Sequence, residues 1–168
     1  MELYALRHAI AADRGNPEYI QDDSKRPLTR KGIRRMLRAA RGMKRLGMSF
    51  DIILTSPYVR ARRTAEIVAE TLGGETALEP FQPLAAEVPP DQAIRQIARR
   101  TEGLDSVLLV GHEPQLSAIA SLLLCGSPTL ALELRKGGMF KLEAEQIQAA
   151  TGVLEWWLTP RQLRRLGD

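Results

Sequence analysis

Apolar positions along the chain fall into two rhythms: short unbroken runs, and longer stretches in which they recur every three or four residues. Residues 2–6 (ELYAL), 51–55 (DIILT) and 107–110 (VLLV) are the runs. Segments this short and this apolar suit strands buried on both faces of a parallel sheet. Between them lie helical patterns. Ile33, Met36, Leu37, Ala40, Met43 and Leu46 keep helical spacing, with Thr29 placed as N-cap, Leu28 set to staple against Ile33, and Gly47 ending the pattern. In residues 56–74, Ser56 as cap and Pro57 at the first position predict a second helix carrying Ala61, Ala65, Val68 and Leu72 on one face. A third is predicted over 91–103 through Ile94, Ile97 and Ala98, and a fourth from Pro114 to Cys125, closed by Gly126.

The remaining segments read as connections and late strands. Residues 11–28 cluster Asp13, Gly15, Asn16, Pro17, Asp22, Asp23, Ser24 and Pro27, too many turn formers for a regular element. Residues 75–90, broken by Pro80, Pro83, Pro89 and Pro90, read as short strand and loop. Strands are predicted over 130–134 and 139–143, flanking a Lys136-Gly137-Gly138 turn, and over 153–158 with Trp156 and Trp157. The basic tail docks through Leu163 and Leu166. This order predicts an α/β fold: a single-domain, three-layer α/β/α sandwich with a mostly parallel central sheet and a late antiparallel element.

Composition narrows the class. At 168 residues the chain is long enough to fill one core, and one domain is expected over 1–168, without a lid insertion. The single cysteine, Cys125, reads as a core thiol of a reducing compartment. No leader or membrane-length apolar run is evident, so a cytoplasmic protein is expected, with no membrane partner. Net charge is +4, and much of the excess lies on the first helix at Arg30, Lys31, Arg34, Arg35, Arg38, Arg41 and Arg45. Without interleaved aromatics, that stripe reads as a solvated face rather than a nucleic-acid surface.

Chemistry concentrates where strands end. The first run closes on Arg7-His8 and the third on Gly111-His112, the only two histidines in the chain. Arg60 falls in the first turn of the second helix, at the same predicted edge of the sheet. Open α/β folds bind ligands at that edge. Two imidazoles and two guanidiniums there suit a phosphate, gripped by arginine forks, with the cations depressing the basicity of either histidine. Two histidines, without a cysteine pair or a paired-carboxylate motif, are too few for a recognisable metal site.

The motifs Arg7-His8-Ala9, RPLTRKG (26–32), SPYVRARRTA (56–65) and VGHEP (110–114), in this order and spacing, resemble the histidine phosphatase superfamily. Within it they are most similar to the small SixA-type phosphohistidine phosphatases. The resemblance runs over essentially the whole chain, closing with Trp157-Leu158-Thr159-Pro160, and implies a phosphoglycerate mutase-like fold. It also implies that His8 attacks phosphorus and carries the phosphoryl group, that Arg7, Arg60 and His112 bind the phosphoryl oxygens, and that neither cofactor nor metal takes part. Ala9 stands where the wider superfamily has Gly, and Arg63 where Gln is usual. Larger members use a carboxylate general acid between the two core motifs. Glu87 lies in that region and Asp13 is a poorer candidate. The implied function is metal-independent hydrolysis of phosphohistidine on a protein, by a monomer acting on a histidine phosphotransfer domain or phosphocarrier. Two alternatives stay open: a phosphatase for small phosphomonoesters, and a non-catalytic phosphoprotein-binding module.

Overall fold

The computed structural model describes residues 1–74 and 76–168, so position 75 of the predicted 75–90 segment lies outside the described residues. Four parallel strands, β1 (Glu2–Arg7), β2 (Ile52–Thr55), β3 (Ala77–Pro80) and β4 (Ser106–Gly111), join two antiparallel ones, β5 (Met139–Glu143) and β6 (Val153–Leu158). The sheet order is β3-β2-β4-β1-β5-β6. Both core strands of the site are therefore central and adjacent, with Arg7 in register beside Gly111.

Side chains alternate across the sheet as the strand period requires. Tyr4, Leu6, Ile53, Leu108 and Val110 face one core, whereas Leu3, Ala5, Ile52, Leu54, Val107 and Leu109 face the other. Helices α1 (Arg30–Arg45), α2 (Val59–Leu72) and α5 (Pro160–Leu166) cover the first face. Helices α3 (Pro90–Arg100) and α4 (Gln115–Cys125) cover the second. The α/β sandwich with its late antiparallel element is the predicted architecture.

Three features depart from expectation. Residues 130–134, predicted as a strand, form none. Both edges of β5 are already occupied, by β1 and β6, so the alternating leucines cannot pair with the strand across the Lys136-Gly137-Gly138 turn. Only Leu134 is fully buried, and its carbonyl is left free. The tail, for which only docking was expected, forms the helix α5. Its capping box, Thr159 with Gln162, was readable in the sequence, and Leu163 docks it while Leu166 stays 39% exposed. Cys125 is exposed rather than a core thiol, because it sits at the outer end of α4.

Two glycines on α1 let it approach other backbone closely. A Cβ at Gly32 would overlap the Ile10 carbonyl, and one at Gly42 would overlap the Leu163 carbonyl. Thr29 caps α1 as predicted, its hydroxyl accepting from the Gly32 amide at 2.9 Å. The first contact holds α1 against the segment that follows His8.

Candidate active site

β1 and β4 end side by side, and the next residue of each is a histidine. The His8 amide donates to the Gly111 carbonyl at 3.1 Å, extending the ladder one step past the strands. The two imidazoles stand 5.1 Å apart between ring centroids, both buried. Thr64 fixes the chain beyond His8: its hydroxyl accepts from the Ala9 amide at 3.1 Å and donates to the Arg60 carbonyl at 2.7 Å.

Helix α2 begins at Val59, with Tyr58 at its cap position, so Ser56 is not the N-cap that the Ser-Pro pair suggests. Its hydroxyl lies 2.8 Å from His112 Nε2 instead. Arg60, in the first turn, is 1% exposed and turns inward. Its Nε donates to His8 Nε2 at 3.3 Å, and its two terminal nitrogens donate to the Asp23 carbonyl and to Asp23 Oδ2 at 2.6 and 2.7 Å. Arg7, half-buried at the end of β1, donates through Nη1 to the free Leu134 carbonyl at 2.8 Å. The missing strand thus supplies the acceptor that orients this arginine.

These residues surround a cavity of about 560 Å³. Arg7, His8, Arg60 and His112 line it together, with Arg14, Arg26 and Lys136 adding cations and Asp13 and Glu113 carboxylates. Glu87 is absent from its wall. Exposed on the segment after β3, Glu87 accepts from the Tyr58 hydroxyl at 2.7 Å and meets the site only through that ring, which packs 4.9 Å from His112. Arg63 pairs with Glu66 and Glu70 along the outer face of α2.

Burial sets the protonation states. It pushes His8 down to about 2 and His112 to about 3, with Arg60 and Arg7 adding to the same direction. His8 is therefore neutral at pH 7. Its Nδ1 donates to the Ala9 carbonyl at 2.7 Å, which leaves the Nε2 lone pair toward Arg60. Burial also lowers Arg7 and Arg60, but guanidiniums remain charged. Glu113 is raised by burial, and its Oε1 accepts from the Ser117 amide at 3.2 Å. Among the described residues, four buried side-chain polar atoms have no partner within the protein, and two of them, Arg7 Nε and His112 Nδ1, belong to residues of this cavity wall. A cavity rimmed by cations, with donors left open beside it, suits a tetrahedral anion.

Sequence reading missed the supporting pair Asp23 and Arg26. Burial raises the Asp23 carboxyl, but Arg60 and Arg26 outweigh it and hold it below the usual range. Arg26 is 4% exposed and bonds to Asp23 Oδ1 at 2.9 Å and the Ala12 carbonyl at 2.6 Å. Asp23 sits in a stretch that reads only as loop, and Arg26 heads the RPLTRKG motif, where it was given no role. Glu113, one residue past His112, was quoted in a motif without a role. Among the described residues, no group of three or more His, Cys, Asp or Glu could hold a metal ion. Among them too, no helix is long and apolar enough to cross a membrane.

Comparison with known proteins points the same way as the geometry. Residues 3–82 match a family model described as histidine phosphatase superfamily (branch 1). An uncharacterised protein of Picosynechococcus sp. (strain ATCC 27264 / PCC 7002 / PR-6) is 41% identical over 155 residues, 90% of this chain and 91% of that protein. The phosphohistidine phosphatase SixA of Escherichia coli (strain K12) is 26% identical over 167 residues, 98% of this chain and 97% of SixA. A solved structure of the protein histidine phosphatase SixA complexed with tungstate superposes with a TM-score of 0.83. It has 24% identity and covers 97% of this chain and 99% of that one.

Proposed function

The chain belongs to the histidine phosphatase superfamily, and from that premise we propose that it hydrolyses phosphohistidine on a partner protein through a phosphorylated His8. His8 Nε2 attacks phosphorus, its lone pair forming the new N–P bond as the N–P bond to the substrate imidazole breaks. The substrate's nitrogen leaves with that bonding pair, and because the other ring nitrogen carries a proton, the departing imidazole is neutral and needs no donor. Arg7, Arg60 and His112 hold the equatorial oxygens, and the neighbouring cations offset charge as it builds. Water then attacks the phosphoryl group on His8, releasing inorganic phosphate and returning Nε2 to its neutral state. Asp23 acts through Arg60, holding the guanidinium so that its Nε faces His8.

One observation supports this most: burial keeps His8 neutral, with Nδ1 spent on the Ala9 carbonyl and Nε2 facing Arg60. A phosphoramidate leaving group needs little proton donation, which fits a cavity that Glu87 does not line. A second reading rests on Glu113. A carboxyl in the cavity wall whose pKa burial raises is placed to serve as the general acid that an alcohol leaving group asks for, so hydrolysis of small phosphomonoesters is the alternative.

A panel of phosphohistidine proteins, phosphoserine peptides and small esters, assayed with chelator present, separates the two. The first reading expects turnover of phosphohistidine proteins far above the esters, hardly altered in Glu113→Gln. Equal turnover across the panel, with loss of ester hydrolysis in Glu113→Gln, would establish the second. A protein that binds phosphoproteins as well after His8→Ala, and turns over none beforehand, is a binding module and neither enzyme.

A further inference from the structure

A second cavity, of about 290 Å³, opens on the α1–α5 side of the Lys136-Gly137 turn. It shares only Lys136 with the cavity that holds the histidines. Arg35 of α1, Arg135 and Lys136 of the turn, and Arg161 and Arg164 of α5 line it, and no carboxylate does. Its floor is apolar: Met36 and Ala39 are almost fully buried there. Among the described residues Arg35, Lys136, Arg161 and Arg164 make no ion pair, and the only one at this wall is a long contact of Arg135 with Glu133, 3.7 Å. Arg164, half-buried, is lowered by burial and by Arg35, Arg38 and Arg161 around it, which outweigh the opposing pull of Asp168, a carboxylate outside the cavity wall that is paired with Arg38.

Like charges gathered at one concave surface repel one another, and the first cavity shows how this fold relieves that repulsion, with Asp23 between Arg26 and Arg60. The second cavity has no such counter-ion of its own. We propose that it is a second anion site, which takes a small phosphate-bearing molecule with its charged head among Arg35, Arg161 and Arg164 and a short apolar body on Met36 and Ala39. The volume lies near the lower limit of small-molecule pockets and is too small for a helix or strand of a partner. No aromatic side chain lines it, so a nucleobase would find nothing to stack on. Nothing in this assignment depends on the reaction proposed for His8.

The test uses the full chain, labelled with ¹⁵N, and two probes: inorganic phosphate, and phenylphosphonate, whose C–P bond resists hydrolysis. The site predicts two separable sets of amide shifts, one around His8 and His112, the other around Gly32, Gly137 and Arg164. In Arg35→Gln/Arg164→Gln the second set weakens about tenfold or more, while turnover of a small ester is unchanged. Phenylphosphonate binds the second site more tightly than phosphate, by severalfold, because the floor contacts its ring. Titrations that move only the first set would overturn the site, and so would a double variant that keeps the second set. Equal affinity for the two probes would overturn the role of Met36 and Ala39. The wild-type titration decides the matter even if the double variant fails to fold. A chain that fails as a phosphatase but shows the second set would still bear this proposal out.

Discussion

The molecule buries cations at two places, and it treats them differently. On β5, Lys141 is surrounded by carboxylates: Glu2 at 2.5 Å, Glu155 at 2.9 Å and Glu143 at 3.6 Å, with the Tyr4 ring alongside. Burial pulls the Lys141 ammonium down, but its bonds to Glu2 and Glu155 outweigh that and hold it above its ordinary value. At the histidine cavity the arginines outnumber their partners. Asp23 serves Arg60 and Arg26, while Arg7 keeps a buried Nε with nothing to bond. Three carboxylates around one ammonium make a closed set that ties β1, β5 and β6 together. Open donors beside a cavity make a set that an anion completes. The distinction lies in the count of partners, not in the degree of burial.

The sharpest way to break that comparison is Arg60→Lys. An ammonium keeps the charge but cannot reach Asp23 twice and face His8 as well. A fall in kcat/KM on the order of 10²-fold is expected, against which the fold should hold. If steady-state kinetics changed by less than a few fold, Arg60 would be a structural cation of the Lys141 kind.

A smaller effect separates the two regions by pH. His8 and His112 titrate near 2 and 3 in the folded protein, against 6.5 ordinarily. Between those values the unfolded chain binds more protons, so stability is complete above about pH 6.5 and is lost as pH falls toward 3. From pH 7 to 5 each histidine should remove up to about 2 kcal/mol, a drop of roughly 4–8 °C in Tm. His112→Asn should flatten the slope by one such share. An identical slope in the variant, measured by thermal melts, would mean that His112 is not held neutral by the fold.

How much of this was legible in the sequence follows from the same physics. The strands that carry His8 and His112 are central and buried on both faces, so composition alone marks them. Residues 130–134 carry a strand's alternation as well, yet pairing depends on a free sheet edge, which no local pattern reports. The Arg60–Asp23–Arg26 group was hidden for a related reason. It joins a turn-rich loop to a helix 37 residues away, and only the fold brings them together. The arginines on α1 read as a plain solvated stripe because the tail that makes a wall with Arg35 was not recognised as a helix.

Next in size comes Lys141→Met. It removes the cation from the closed set and leaves Glu2, Glu143 and Glu155, all partly open to water, without it. Solvent screens most of their repulsion, so the cost should be about 1 kcal/mol. Turnover should stay at the wild-type level. Denaturant melts and kinetics on the same preparation check both halves. A variant of normal stability and poor turnover would reverse the roles assigned to the two regions.

The smallest effect belongs to Glu87→Gln, and it tests where the histidine region ends. Glu87 is exposed and bound to the Tyr58 hydroxyl, and that hydrogen bond, with burial adding to it, raises the phenol to about 12. Tyr58 in turn packs on His112 and lies under the Arg60 guanidinium at 4.9 Å. A carboxylate two contacts from the cavity cannot deliver a proton to a leaving group inside it, but it can hold an aromatic wall in place. A glutamine keeps the hydrogen bond and loses only the charge, so kcat on a phosphohistidine protein or a small ester should change by less than about threefold, with the alkaline limb of the pH profile unmoved. If that limb disappeared while Glu113→Gln left it intact, the proton donor would be Glu87. The segment after β3 would then have to close over the cavity during turnover.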